Sequence, residues 1–219
     1  MRDTASGGEP PYDCARCPRL VDYRQENRRR DPAGHNGPVR SFGPSQARLL
    51  VVGLAPGVSG ANRTGRPFTG DWAGDLLYET LALFGFASGS YDELPDDGLS
   101  LSDCMVTNAV RCVPPANKPT PDEIATCRDF LTGRMAALPR LDVVVALGRI
   151  AHDSLLRACA TRLAAHPFGH GQVHEVAFGG RPLRLFDSYH CSRYNTNTGV
   201  LTPEMFRAVF RSVRAALGG

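Results

Sequence analysis

Short apolar runs alternate with helical periodicity along most of this sequence. Arg48-Leu49-Leu50-Val51-Val52 is an apolar, β-branched run, the pattern of a strand buried on both faces. It breaks at the tight loop Gly53-Leu54-Ala55-Pro56-Gly57. A glycine-rich stretch follows to Gly70, and residues 75–84 then set Leu76, Leu77, Leu81 and Phe84 at helical spacing. The order repeats. Met105-Val106-Thr107-Asn108 predicts a second strand and Val113-Pro114-Pro115-Ala116-Asn117-Lys118-Pro119 a loop. Thr120-Pro121-Asp122-Glu123 predicts a helix start, with a capping threonine, a proline at the first helical position and a capping-box glutamate. Val143-Val144-Val145-Ala146-Leu147, closed by Gly148, predicts a third strand followed by a helix to about residue 165. Residues 173–178 and 183–186 read as a strand pair around Gly179-Gly180, and a last helix opens at Thr202-Pro203-Glu204 and runs to about residue 217.

Strands alternating with helices predict a single α/β domain, a three-layer α/β/α arrangement around a mostly parallel central sheet. Ligands in such sheets lie beyond the carboxyl ends of the strands, so the loops after Val52, Asn108, Leu147 and Phe186 should line one cleft. Residues 1–46 lack a long periodic apolar segment and predict an irregular N-terminal arm with one short helix near residues 21–28, ahead of a compact unit at 47–219.

Charge adds little to this picture: 25 Lys+Arg against 22 Asp+Glu leave a net of +3. Its kind adds more, because Lys118 is the single lysine and every other basic chain is an arginine, a planar and permanently charged fork. No apolar run approaches the 18 or so residues of a membrane span, and the start shows no apolar signal segment. The expected location is the cytoplasm, where clustered thiols hold metals more often than they form disulfides. Seven cysteines, an odd number, exclude a fully paired framework. Cys14-Ala15-Arg16-Cys17 has the C-x2-C spacing that lets two thiolates converge on a metal. With Cys112 and Cys127, four thiolates from separated segments fit either a tetrahedral zinc or an iron–sulfur cluster. The alternative is that Cys14 and Cys17 are incidental and Cys127, on the apolar stripe with Ile124 and Leu131, is a small core residue. Cys104 and Cys159 read as core, and Cys191 stands apart in a loop.

Several long motifs, in order, resemble the iron–sulfur uracil-DNA glycosylases. They are Gly53-Leu54-Ala55-Pro56-Gly57 with Asn62-Arg63-Thr64-Gly65-Arg66-Pro67-Phe68-Thr69-Gly70-Asp71 downstream, the segment from Val106 to Pro115, Ala146-Leu147-Gly148-Arg149, and His190-Cys191-Ser192 followed by Asn195. The resemblance implies that Cys14, Cys17, Cys112 and Cys127 hold a [4Fe-4S] cluster. Two departures bear on the branch: Leu54 stands where many relatives carry a water-activating carboxylate, and Cys191 replaces the proline of a His-Pro-Ser motif. An apolar first motif is similar to the family 5, or type b, enzymes found in thermophiles, which take deaminated bases beyond uracil.

The resemblance implies a DNA repair enzyme that hydrolyses the N-glycosidic bond of a flipped base. Asn108 would pair with uracil N3–H and O4, Phe68 would stack on the base, and His190 would donate to uracil O2. Gly53, Leu54, Ala55, Gly57, Ser192 and Asn195 would complete the substrate site. With Leu54 apolar, Asp75 is the expected carboxylate that orients water or steadies the sugar cation, its plainer role being a helix N-terminal charge. Arg63, Arg66, Arg193 and Tyr194 are the expected DNA contacts, with Arg28, Arg29, Arg30 and Arg111 behind them, and Arg193-Tyr194 could wedge into the gap left by the flipped base. A glycosylase that cuts the strand commonly uses an amine, so a chain with one lysine is expected to be monofunctional. The expected protein is a monomer acting on nucleoid DNA. The alternative is a zinc or iron–sulfur nucleic-acid-binding module or an electron carrier; a phosphate-cradling nucleotide hydrolase is disfavoured because no G-x-x-x-x-G-K-[ST] follows the first strand.

Overall fold

In the arm, proline at the first turn of α1 (Pro18–Arg30) starts the helix earlier than expected, and it continues to a basic last turn of Arg28, Arg29 and Arg30 that complements the helix dipole. This computed structural model describes residues 8–218. Residues 1–7 of the expected arm, and Gly219, lie outside the described residues. Further along come β1 (Leu49–Gly53), α2 (Ala61–Thr64), α3 (Trp72–Leu83), the two short strands β2 (Ala87–Ser88) and β3 (Ser100–Leu101), and β4 (Cys104–Asn108). The second half holds α4 (Pro121–Ala136), β5 (Val143–Leu147), α5 (Arg149–Ala158), β6 (Val173–Phe178), β7 (Arg181–Ser188), α6 (Arg193–Asn197) and α7 (Pro203–Ala216).

The central sheet has the order β4-β1-β5-β7-β6. The first four strands are parallel and β6 returns antiparallel on β7, through Gly179 and Gly180, both at positive φ. This is the expected single-domain α/β architecture. All residues of β1, β4 and β5 are buried, because helices cover both faces. Leu49, Val51, Val106 and Val145 pack with α3 and α7, while Leu50, Val52, Val144 and Ala146 pack with α4 and α5. Register decides where the site can form: Gly53 pairs with Asn108 and Leu147 with Ser188. The loops after these strands therefore emerge at one level.

The arm closes an exposed edge. Phe42 bridges antiparallel to Val106 on the edge strand β4, which blunts a surface otherwise open to strand addition. Three local expectations are corrected. The helix after β5 stops at Ala158 instead of near residue 165, because Ala160 turns the chain at φ 53° and only a short 3-10 turn, Leu163–Ala165, follows. The helix expected over 75–84 begins at Trp72, since Asp71 caps it by accepting from the Gly74 N–H. Cys191 lies in a loop as expected but does not stand apart: it is fully buried, with its thiol donating to the Ala73 carbonyl at 3.4 Å. No helix among the described residues is long and apolar enough to cross a membrane.

Candidate active site

A pocket opens beyond β1 and β4, walled by Ala55, Pro56, Gly57, Phe68, Asp71, Asn108 and His190. Its outer mouth adds Leu54, Trp72, Asn117, Ser192 and Arg193. The floor is set by Gly53, whose missing side chain is a requirement: a Cβ there would come within 2.4 Å of the Phe68 ring and 2.5 Å of Asn108 Oδ1. Phe68 is held at φ 53°, an unusual conformation for an aromatic residue. It lies stacked 6.0 Å from the His190 ring, with the two planes 24° apart.

Asn108 carries the clearest signal. It is 3% exposed and lines the pocket, and among the described residues no hydrogen bond occupies its amide, so its donor and acceptor atoms stay open to a ligand with complementary atoms. His190 has no ring hydrogen bond either, and burial pushes its pKa down to about 4. The imidazole is therefore neutral at physiological pH and available to donate one N–H. Asn195, from α6, fixes the backbone of this histidine by donating to the His190 carbonyl at 2.8 Å. Ser192 caps α6 through its hydroxyl, which accepts from the Asn195 N–H.

The carboxylate in the pocket wall is Asp71. Asp75, the sequence expectation, lies one turn further along α3, exposed and outside the lining. Burial pushes the Asp71 carboxyl up, opposed by the N–H groups of Gly74 and Ala73. Gly60 makes room for it, since a Cβ there would sit 2.5 Å from Asp71 Oδ2. The signal for Asp71 was present in the sequence as a capping aspartate after a glycine-rich loop. Asn117 and Trp72 carried no such signal and emerge only from the fold.

The expected DNA-contacting residues separate into two groups. Arg193 and Tyr194 are exposed at the mouth, Tyr194 at 74%, and Arg63 is exposed on α2. Arg66 is corrected: it is buried, its two terminal nitrogens donating to Asp97 at 2.8 and 2.6 Å. Arg111 is likewise buried and donates to Glu9 at 2.9 Å. Arg28 pairs with Asp13 and donates to the Asn36 carbonyl.

Behind this cleft, Cys14, Cys17, Cys112 and Cys127 converge on a second pocket, with Leu20, Val110 and Phe130. The Arg111 N–H donates to Cys127 Sγ at 3.3 Å, and Arg24 lies 4.0 Å from Cys112 Sγ. Burial pushes the Cys112 thiol up to about 12 and Cys127 up to about 11. All four thiols are free.

The uracil DNA glycosylase superfamily profile matches residues 40–214. A type-5 uracil-DNA glycosylase of Thermus thermophilus is 47% identical over 210 residues, 94% of each chain. That of Pyrobaculum aerophilum is 41% identical over 94% of this chain and 90% of its own. A type-4 uracil-DNA glycosylase of Archaeoglobus fulgidus is 33% identical over 69% of each chain. With a fold, a pocket and matches of this extent in agreement, the chain belongs to the uracil-DNA glycosylase superfamily, on its type-5 branch.

Proposed function

We propose that this uracil-DNA glycosylase reads and cleaves its substrate with Asn108, Phe68, His190 and Asp71, and that it leaves an abasic site in an intact strand. The carrying observation is the buried, partnerless amide of Asn108 beside a neutral histidine. Uracil presents N3–H and O4 on one edge, which an amide oxygen and NH2 complement. Phe68 stacks on the ring. As the C1′–N1 bond breaks, its electron pair passes to the base, and His190 donates its N–H toward O2 as charge builds there. Asp71, held by two backbone N–H groups, faces the sugar cation and orients the water that adds to C1′, the proton of that water passing to the carboxylate or to solvent. Gly53, Leu54, Ala55 and Gly57 shape the base pocket, and Arg63, Arg193 and Tyr194 grip the DNA, Tyr194 as the wedge.

The donor set also fits an iron–sulfur cluster. The cysteines come from separated segments and sit among Leu20, Val110 and Phe130, with the Arg111 N–H donating to Cys127 Sγ and Arg24 beside Cys112 Sγ; an apolar surround with N–H donors to sulfur suits an iron–sulfur centre. Cys14, Cys17, Cys112 and Cys127 would hold it, and it would supply a covalent tie between arm and domain.

An excision assay tests the reading. With a uracil-containing oligonucleotide, strand breaks should appear only after alkali treatment, and a base panel including hypoxanthine reports the breadth of specificity. Asn108→Ala should lower kcat/KM by about 100-fold or more, the loss of two hydrogen bonds to a charged leaving group. Full activity in that variant, or breaks without alkali that vanish in Lys118→Ala, would contradict it.

A further inference from the structure

Trp72 is the single tryptophan of the chain, and it is 49% exposed. It stands at the first position of α3, directly after Asp71, and forms part of the outer pocket mouth with Leu54, Asn117 and Arg193. The indole is not loose. Its Nε1–H donates to Thr196 Oγ1 at 2.9 Å, and the Arg193 guanidinium lies 5.7 Å from its ring centroid. Two elements distant in sequence, α3 and α6, thus hold a large apolar plane upright at the rim. Such a plane costs free energy in water, and an exposed aromatic at a pocket mouth marks an interaction surface. Tyr194, 74% exposed, follows Arg193 on α6.

We infer that Trp72 is a stacking platform for the nucleobase flanking the flipped nucleotide, with Arg193 backing the indole and pairing with the neighbouring phosphate. The inference rests on the glycosylase reading of the pocket. Its chemistry is sequence-tolerant, since every base presents a π-face. Pre-ordering by Thr196 and Arg193 lowers the entropy lost on binding. Flipping one nucleotide removes a stacking partner from its neighbour, and the indole offers a replacement where that neighbour would pass the rim.

Because the chain has one tryptophan, its emission reports this contact directly. A duplex carrying a tetrahydrofuran abasic analogue, which has no base to excise, is titrated into the purified enzyme. Saturable quenching is expected. Trp72→Ala should bind this duplex about ten-fold more weakly, and Trp72→Phe should recover most of that loss. The dependence of affinity on salt should be unchanged in Trp72→Ala but shallower by about one counterion in Arg193→Ala. Unchanged emission at saturation, or affinity of Trp72→Ala within two-fold of the parent, overturns the inference. Uracil excision by the parent, measured alongside, separates the two readings: excision with a silent tryptophan defeats this inference alone, and no excision defeats both.

Discussion

At the scale of single residues, two histidines have opposite electrostatic fates. His190 is partly buried, its ring has no hydrogen-bond partner, and desolvation pushes its pKa down to about 4. His152 is also buried, which alone would lower its pKa, yet the hydrogen bond and charge of Asp187 outweigh this and raise it. Geometry gives the reason: Nδ1 lies 2.7 Å from Asp187 Oδ1 and Nε2 lies 2.9 Å from the His166 carbonyl. Both neighbours are acceptors, so both nitrogens donate and the ring is an imidazolium, with His174 on the other Asp187 oxygen at 3.1 Å. The unfolded histidine titrates near 6.5. For His190 the unfolded chain binds the extra proton, so its contribution is complete above about 6.5 and is lost as pH falls toward about 4. For His152 the contribution is complete below about 6.5 and is lost as pH rises through the raised value. Unfolding midpoints across pH 4–9 should therefore show His190→Asn differing from the parent on the acid side and His152→Gln on the alkaline side. A parent-like alkaline limb in His152→Gln would refute the imidazolium. Neither state was legible beforehand. His190 stood out by its motif, but its isolation follows from tertiary packing, and Asp187 and His152 are 35 residues apart. Asp75 sits on the exposed side of α3, whereas Asp71 lines the pocket because the helix begins at Trp72 and Asp71 caps it.

At the scale of elements, local chemistry was legible wherever it is self-contained. Thr120 and Glu123 form the reciprocal capping box that their spacing announces, the threonine hydroxyl accepting from the Glu123 N–H and the glutamate from the Thr120 N–H. Gly179 and Gly180 turn between β6 and β7 in the same way. The end of α5 was not legible, because Ala160 adopts a left-handed conformation for which alanine gives no signal. The attachment of the arm was equally hidden. Glu9, 3% exposed, accepts from Arg111 at 2.9 Å, from Arg134 at 2.8 Å and from the Ser41 N–H at 3.2 Å. One carboxylate thus binds the arm to the segment after β4 and to α4. Removing one member of a buried ion pair leaves its partner uncompensated, at a cost of about 3–5 kcal/mol. Chemical denaturation of Glu9→Gln should show a loss of that size; a loss below about 1 kcal/mol would mean that the arginines find other partners at little cost.

At the scale of the whole molecule, the arginines that the composition offered to DNA turn out to be structural in large part. Arg19, Arg48, Arg66, Arg111 and Arg207 each pair with a carboxylate distant in sequence. Arg193, exposed at the pocket mouth, and Arg63, exposed on α2, are in none of these pairs. The cysteines make the complementary connection. Cys14 and Cys17 belong to the arm, Cys112 follows β4 and Cys127 sits in α4, so a centre bound there joins all three. It also reaches the active site along a short path: Asn108 and Cys112 share one strand extension, whose Ala109 and Val110 N–H groups donate to the Gly53 and Leu54 carbonyls at 2.9 Å. Loss of a ligand should therefore loosen the base pocket as well as the arm. Cys17→Ser, purified without oxygen, should lose iron and visible absorbance near 400 nm and show faster proteolysis within residues 12–31. It should also excise uracil more slowly, while Cys159→Ser, changed outside this group, behaves as the parent. Retention of iron, arm protection and full excision in Cys17→Ser would dissociate the four thiols from any shared centre, and would leave the Glu9 pairs as the main bond between arm and domain.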